Sequence, residues 1–309
     1  ILLSLRSLYN FVKRNPAAMR QFSCKDILFV KIDCPPALKF DDWNEHNCFI
    51  HVLHGSKCLH TRERSWYLRA GSTLFVRKGA VTVEKLDDES LCALMFFVPD
   101  EYVRVFVKEN TSLIPQLGFS DSINQMIPVE TTPVMEAFYS SVVSYFEAST
   151  QPAENLVELK FRELLLNIIT TESNIELIKY FCKIAHDGCD DLKEIMENNC
   201  LYNLELHEYA RLCHRSLSKF KRDFSAAFGE PPGRWLLKKR IEHARRLLER
   251  TDMQIMDVAY ESGFVNVTHF DRVFKESVGL SPVKYRKQRA AQLISGQVIF
   301  ESGISAIKN

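Results

Sequence analysis

The stretch DVAYESGFVNVTHFDRVFK, residues 257–275, has the pattern of two short helices separated by a Gly-Phe turn. The first helix carries an apolar stripe at Ile255, Val258 and Ala259. Gly263 is suited to the left-handed conformation that ends a helix, and Asn266 is a reasonable N-cap for the next one. The stretch therefore predicts a helical hairpin, which by itself is equally typical of a protein core and of a binding surface.

The same pattern occurs a second time, 50 residues upstream. When FKRDFSAAFGEPPGRW (220–235) is aligned on FDRVFKESVGLSPVKY (270–285), seven positions match at one offset. The pairs are Phe220 with Phe270, Arg222 with Arg272, Phe224 with Phe274, Phe228 with Val278, Gly229 with Gly279, Pro232 with Pro282 and Trp235 with Tyr285. Chance similarity of two amphipathic helices would not also align the glycine and the proline. The fixed offset therefore indicates a duplicated helix-turn-helix unit.

Each unit is predicted to present a polar, arginine-containing stripe on its second helix, at i, i+3, i+4 and i+7. In the first unit Ala210 and Cys213 belong to the leading helix, Ser216 is the expected cap, and the core positions are Leu217, Phe220 and Phe224. In the second unit the core positions are Phe270, Val273 and Phe274. Such a helix can lie in the major groove of DNA and offer side chains to base edges. The predicted DNA-binding residues are Ser216, Ser218, Lys221, Arg222, Ser225, Asn266, Thr268, His269, Asp271, Arg272 and Lys275.

Simpler roles are open to several of these residues. Arg222 and Arg272 could pair with neighbouring acids on the protein surface, and the lysines could touch phosphate or merely solvate a helix. Asp271 would be repelled by phosphates. It could accept a hydrogen bond from a cytosine amino group or orient Arg272 or Lys275, and both possibilities stay open.

A basic helix is predicted between the two units, over WLLKKRIEHARRLLER (235–250). Its expected buried face comprises Leu236, Leu237, Ile241, Ala244, Leu247 and Leu248. A helix of about 16 residues spans roughly 24 Å. Such a spacer could hold two recognition helices about one DNA turn, roughly 34 Å, apart.

Charge separates this region from the rest of the chain. Residues 207–289 contain 18 Lys and Arg against 10 Asp and Glu, a charge of +8, so the remainder of the +1 chain carries −7. A basic block suggests a polyanionic partner.

At 309 residues, with 46% hydrophobic residues and no apolar run of 18 or more, the chain has room for two globular domains and no membrane span. Nine cysteines without a framework spacing fit a reducing cytoplasm, where we expect the protein to reside.

The first half of the chain is predicted to fold as an antiparallel barrel or jelly roll followed by helices. Short β-branched and aromatic runs separated by Gly, Asp and Ser extend from residue 19 to about residue 100, and helical periodicity follows Pro99. The segment HDGCDD (186–191) is the candidate linker. Residues 1–18 are left unassigned and are interpreted as a vector remnant, a fragment edge or an over-extended start, and 290–309 are a C-terminal tail.

Six metal-ligand side chains cluster in the strand region: His46, Cys48, His51, His54, Cys58 and His60. Their spacing matches no zinc knuckle or ribbon, and the His-x-His pair of a catalytic cupin is missing. We therefore expect them to be satisfied core or surface residues. No spacing suggests a Ser/His/Asp or Cys/His nucleophile and no glycine loop suggests phosphate binding. The prediction is of a protein without a cofactor or enzymatic activity.

The C-terminal ~100 residues resemble the DNA-binding domain of AraC/XylS-type transcription regulators. The family signature runs through 257–286 almost without interruption, with GFVNVTHFDRVFK and the closing GLSPVKYRK as its most specific parts. The first unit also matches, although His214 stands where the family often has Gly or Asn. The stretch LRAGSTLFVRKGA looks like the Gly-centred turn and basic-glycine corner of the family's sensor domains.

This resemblance implies an α+β protein: a cupin-like barrel with a helical dimerisation segment (19–186), then an all-α domain of two helix-turn-helix units joined by a linking helix (187–289). It also implies a sequence-specific transcription regulator, an activator, that inserts Ser218–Ser225 and Thr268–Lys275 into successive major grooves. The expected partners are promoter DNA, a second copy of the chain paired through 131–186, RNA polymerase, and an effector that is a small molecule or a protein. The alternative is a metal-dependent cupin-type enzyme whose helical tail is regulatory.

Overall fold

The computed structural model describes residues 3–6, 8–15, 19–34, 39–61, 64–85, 91–115, 124–187, 192–289 and 291. The chain divides into two compact units. The sheet unit comprises Ile1–Asn198 and Tyr209–Arg215, and the helical unit comprises Asn199–Glu208 and Ser216–Asn309. Residues 188–191 of the candidate linker, and all of the 290–309 tail except residue 291, lie outside the described residues. The domain boundary near residue 187 stays a prediction.

The strands of the sheet unit form two sheets. They are β1 Leu3–Arg6, β2 Arg20–Cys24, β3 Ile27–Cys34, β4 Lys39–Asn44, β5 Asn47–His54, β6 Ser56–His60, β7 Ser65–Arg69, β8 Thr73–Val76, β9 Gly79–Lys85, β10 Leu91–Val98 and β11 Met126–Val129. The five-stranded sheet has the order β1-β4-β9-β6-β7, and the six-stranded sheet has the order β11-β8-β5-β10-β3-β2. Only the β1–β4 pairing is parallel among the described strand pairs. The strand-rich region that the sequence predicts is confirmed.

The six-stranded sheet is buried on both faces, which explains why β10 reads LCALMFFV without a polar alternation. Ala93, Met95 and Phe97 pack into a core with side chains from the five-stranded sheet, such as Leu59 and Val81. The alternate residues Leu94, Phe96 and Val98 pack into a second core that contains helix side chains. Because successive strand residues point to opposite faces, one apolar strand contributes to both cores.

Five α-helices lie between β10 and residue 200 in the described part of the chain. They are α2 Asp100–Glu109, α3 Pro133–Glu147, α4 Glu154–Ile169, α5 Ile175–Asp187 and α6 Leu192–Asn199. Side chains of α2, α3, α4 and α5 cover the second face of the six-stranded sheet. The helices predicted after Pro99 are confirmed. Strand β11 was not predicted from the sequence, because the four residues MIPV are too short a pattern to distinguish a strand from a loop.

The described residues of the N-terminal segment, 3–6 and 8–15, belong to the sheet unit, and the interpretation of residues 1–18 as a vector remnant, a fragment edge or an over-extended start stays a prediction. Helix α1, Leu8–Arg14, begins with its Leu8 amide donating to a carboxylate oxygen of Asp42 at 3.0 Å. Tyr9 and Val12, three residues apart and therefore on one helical face, are buried in the core between the sheets. The sequence signal was weak because seven residues provide only two turns of periodicity.

The helical unit contains the duplicated region. Its helices are α7 Leu206–Leu212, whose last residues belong to the sheet unit, α8 Leu217–Phe228, α9 Pro232–Arg250, α10 Ile255–Glu261 and α11 Val267–Val278, and residues 282–289 are also helical. The linking helix α9 includes the predicted stretch, with Leu236, Ile241, Ala244 and Leu248 buried and Leu237 and Leu247 partly buried. None of the helices in the described residues combines the length and apolar character needed to cross a membrane.

Candidate nucleic-acid interface

The recognition helices α8 and α11 begin and end in the same way. Ser216 accepts from the Lys219 amide at 3.4 Å, and Asn266 accepts from the His269 amide at 3.1 Å, so both predicted caps are confirmed. Each helix ends at a left-handed glycine, Gly229 with φ of 72° and Gly279 with φ of 85°. Caps and stops at equivalent positions make the two helices the same length, 12 residues each.

The aromatic side chains behind both helices repeat as well. The rings of Phe220 and Phe224 lie 5.8 Å apart, and those of Phe270 and Phe274 lie 5.5 Å apart. Trp235 meets Phe224 edge-on at 5.7 Å, and its counterpart Tyr285 meets Phe274 edge-on at 5.5 Å. The four phenylalanines are fully buried, as predicted. Their rings support the recognition helices and are not available to stack on bases.

The prediction that Leu217 is a core residue is wrong. Leu217 lies three residues before Phe220, which suggests a shared face, yet its side chain is 39% exposed. Residues 216–219 are all exposed, because the first turn of α8 extends beyond the core that Phe220 and Phe224 fill.

All of the predicted DNA-binding residues are exposed. They are Ser216, Ser218, Lys221, Arg222 and Ser225 on or beside α8, and Asn266, Thr268, His269, Asp271, Arg272 and Lys275 on or beside α11. The structure therefore places both polar stripes in solvent, where a ligand can reach them. Contact with DNA remains a prediction for each residue.

The two arginines rest against neighbouring acids. Arg222 Nε lies 3.5 Å from a carboxylate oxygen of Asp223, and Arg272 Nη1 lies 3.5 Å from Glu276 Oε1. The side chains of Arg222 and Arg272 are 75% and 65% exposed. Exposed ion pairs of this kind contribute only about 0.2–1 kcal/mol. Both guanidinium groups can therefore exchange these partners for a base edge or a phosphate at little cost.

The turns that precede the two recognition helices differ. Gly263 has φ of +81°, and a Cβ built on it would lie 2.5 Å from the backbone oxygen of Leu201. His214 takes a similar left-handed conformation, with φ of +50°, although it carries a side chain. A residue with a Cβ in this conformation is strained, so the first turn carries a strain that the glycine of the second turn avoids.

His214, whose side chain is 48% exposed, lies at the edge of a charge cluster that the sequence did not predict, formed by the buried side chains of Lys78 and Asp100. Asp100 accepts from Lys78 Nζ at 2.7 Å and from Asn47 Nδ2 at 2.7 Å, and His214 Nε2 lies 3.5 Å away. Burial alone would raise the pKa of Asp100. The hydrogen bond from His214 and the charge of Lys78 outweigh burial and hold this pKa well below its usual range. The residues are scattered from 47 to 214, so no local spacing could have revealed the cluster.

A second pair missed by the sequence analysis joins Glu45 to Arg211. Arg211 Nε and Nη2 donate to the two carboxylate oxygens of Glu45 at 2.9 and 2.6 Å, a bidentate arrangement. Burial would raise the pKa of Glu45, but the hydrogen bonds and charge of Arg211 lower it. Arg211, like His214, lies in the segment Tyr209–Arg215 that belongs to the sheet unit.

The metal-ligand side chains of the strand region make ordinary structural contacts. His51 stacks on Tyr139 at 3.6 Å and bonds to Thr73 at 2.9 Å, and burial lowers its pKa to about 4. His60 bonds to Glu84 at 2.8 Å, and Cys48 and Cys58 are buried. Among the residues that the structure describes, no group of three or more His, Cys, Asp or Glu is arranged to hold a metal ion.

Comparisons with known proteins match both halves of the chain. Residues 47–180 match a family described as the ExsA N-terminal regulatory domain, and residues 209–288 match a family described as a helix-turn-helix domain. The thermoregulatory protein LcrF of Yersinia pestis is 24% identical over 257 residues, which are 83% of this chain and 94% of LcrF. The virulence regulon transcriptional activator VirF of Yersinia enterocolitica is 24% identical with the same coverage. The HTH-type transcriptional regulator ExsA of Pseudomonas aeruginosa is 24% identical over 237 residues, 76% of this chain and 84% of ExsA.

Proposed function

Because the chain belongs to the AraC/XylS-type family of DNA-binding transcription regulators, we propose that it reads promoter DNA with α8 and α11 in successive major grooves. The observation that carries this proposal is the duplication of a capped, exposed and arginine-bearing helix on an equivalent aromatic core. The linking helix α9, at 19 residues, is about 28 Å long. A spacer of this length suits two helices separated by about one turn of DNA, roughly 34 Å.

Within each stripe, the side-chain types suggest a division of roles. Arg222 and Arg272 present planar guanidinium groups, which are suited to a bidentate contact with guanine. Lys221 and Lys275 present point charges suited to phosphates. Ser216 and Asn266 use their side-chain oxygens as caps, so they would contact DNA with what those bonds leave free. Asp271 retains both roles, accepting from cytosine or orienting Arg272.

The proposal also includes activation of transcription, a signal received by the N-terminal region and pairing of two subunits. Activation is supported by the name of the relative VirF, a transcriptional activator, and it requires a productive contact with RNA polymerase. The region that matches the ExsA N-terminal regulatory domain would receive a signal from a small molecule or a protein. Pairing of two subunits through 131–186 is supported by the large apolar side chains that α3 and α4 leave exposed, Val134 at 61% and Leu159 at 60%.

Selection of genomic DNA fragments by the full chain tests the proposal and supplies the operator. On the selected operator, Arg222→Ala and Arg272→Ala are each expected to weaken specific binding by about 1–3 kcal/mol and to relax the sequence preference at one position. Arg250→Ala is the matched control, because Arg250 is an exposed arginine of the same unit outside both recognition helices. The measurement is a binding titration at fixed salt, since the affinity of Lys and Arg for phosphates falls steeply with salt concentration. If both variants bind the operator as tightly as the wild type, α8 and α11 do not read bases.

A further inference from the structure

Each recognition helix is followed by the same short turn and by a helix whose third residue is basic. After α8 the chain turns at Gly229 and enters α9, which carries Arg234. After α11 it turns at Gly279 and enters the helix of residues 282–289, which carries Lys284. Arg234 and Lys284 lie 50 positions apart, the offset that relates the two recognition helices, and both are exposed. A cation therefore occupies the equivalent position after each recognition helix.

The backbone at each of these cations is fixed against its recognition helix. The next residues along the chain are Trp235 and Tyr285, whose rings pack edge-on against Phe224 of α8 at 5.7 Å and Phe274 of α11 at 5.5 Å. A helix that lies in the major groove is bordered by the sugar-phosphate backbones, and phosphate and sugar take about half to two-thirds of all protein–DNA hydrogen bonds. Each cation thus belongs to the rigid surroundings of a helix that would lie between phosphates.

An acidic side chain accompanies the cation in the first copy and not in the second. Both carboxylate oxygens of Glu230 lie close to Lys238 Nζ, at 2.9 and 2.8 Å, and Arg234 Nε lies 3.8 Å from Oε2. The Glu230 side chain is only 18% exposed, whereas those of Arg234 and Lys238 are 74% and 55% exposed. Fifty residues later, Leu280 stands in place of Glu230 and Gln288 in place of Lys238. Leu280 packs against the core of the second unit and cannot attract a cation.

We propose that Arg234 and Lys284 bind DNA phosphates beside their recognition helices, and that Glu230 competes with phosphate for Arg234 and Lys238. The inference rests on the proposed function as a DNA-binding regulator. A cation that leaves a carboxylate for a phosphate gains less than one that leaves water, because the carboxylate loses its partner. The remaining charge of Glu230 also repels the phosphates. The first unit therefore holds the DNA backbone more weakly than the second.

The test measures the affinity of the full chain for the selected operator over a series of salt concentrations. Lys284→Ala should weaken binding to all sequences alike and lower the salt slope by about 1, the contribution of one phosphate contact. Arg234→Ala should have a smaller effect on both quantities. Glu230→Gln keeps the size of the side chain and removes its charge, and it should raise the affinity about two- to fivefold, the size of an exposed ion pair. Glu242→Gln is the control, because it removes the same charge from an exposed position of α9.

A combined variant separates competition from a general effect of charge. In a chain with Arg234→Ala and Lys238→Ala, Glu230→Gln should raise the affinity no more than Glu242→Gln does. Equal gains from Glu230→Gln with and without the two cations would overturn the competition. A Lys284→Ala chain with the affinity and salt slope of the wild type would overturn the phosphate contact.

The second copy supplies a further variant for the case in which Glu230→Gln does not fold. Glu230→Leu installs the residue that the second unit has at Leu280 and should raise the affinity in the same way. Failure of the proposed function gives a different result, because the wild-type chain would then select no DNA. A chain that selects an operator but shows none of these changes overturns only the inference about phosphates.

Discussion

The two helix-turn-helix units share a pattern at 50-residue spacing but differ in what holds them. The second helix-turn-helix unit packs against residues of the helical unit: its core combines α10 and α11 with α9 side chains such as Ile241 and Leu248. Its turn glycine lies directly against the Leu201 backbone, and Arg240 of α9 bonds to the carbonyl oxygens of Cys200 and Tyr202 at 2.9 and 2.7 Å. The first unit instead has its turn residues among the acidic groups of the sheet unit.

A duplicated sequence pattern can therefore have different tertiary contacts in its two copies. Both recognition helices have equivalent caps, ends and aromatic supports, because those features depend on residues close in sequence. The tertiary contacts of the turns diverge, since they depend on residues more than 100 positions away in one copy and about 60 in the other.

The largest expected effect concerns the charge cluster at the first turn. Asp100→Asn leaves Lys78, whose side chain is 2% exposed, without its carboxylate partner, and breaking such a buried pair costs about 3–5 kcal/mol. The pKa of Asp100 is lowered in the folded state, so its contribution to stability is complete above the unfolded pKa of about 3.9 and is lost as the pH falls through the folded pKa. Denaturant unfolding should therefore separate the variant from the wild type widely at pH 7 and less at acid pH.

The neighbouring acid provides the control for that measurement. Glu101 follows Asp100 on α2 but its side chain is 74% exposed, so Glu101→Gln should change the free energy of unfolding by less than about 0.5 kcal/mol. A difference between Asp100→Asn and wild type that is small, or that does not shrink toward acid pH, would contradict the role assigned to this carboxylate.

The next effect tests the second turn. Gly263→Ala should destabilise the helical unit by about 2–4 kcal/mol, since it adds a left-handed strain of about 1 kcal/mol to a Cβ clash with the Leu201 oxygen. Gly229→Ala is matched to it, with a φ of +72° and no atom within 4 Å of the new Cβ, and should cost only about 1 kcal/mol. The measurement is thermal or denaturant unfolding of the two full-length variants. Equal losses of stability in the two variants would mean that the backbone around Leu201 moves aside for the new methyl group at no cost, which would contradict tight packing of the second turn.

The smallest effects concern the caps. Asn266→Ala should cost about 1 kcal/mol and Ser216→Ala about 0.5 kcal/mol, because the Ser216 bond of 3.4 Å is longer than the Asn266 bond of 3.1 Å. Ser218→Ala changes an exposed serine next to the first cap and serves as the reference. Unfolding midpoints measured together for the three variants rank these contributions. A larger loss of stability for Ser216→Ala than for Asn266→Ala would contradict this order and show that the N-cap of α8 contributes more than the N-cap of α11.

Much of this arrangement is predictable from the residues alone. The strands, the helices after Pro99, the linking helix, the caps Ser216 and Asn266 and the four buried phenylalanines all follow from local periodicity and from side chains that bond to their own backbone. Prediction fails where the pattern is short, as for α1 and β11, and at Leu217, whose apolar spacing places it on the core face although the helix start extends beyond the core.

Two copies of a polar-faced helix on an apolar support are predictable from the residues alone, because helix periodicity and capping act over a few residues. The contacts of Glu45 with Asn10 and Arg211, and those of Asp100 with Asn47, Lys78 and His214, are known from the folded chain alone. The two sets of features differ in how far apart in sequence the interacting residues are. A salt bridge or a buried hydrogen bond depends on where the chain returns in space, and no spacing along the chain records that.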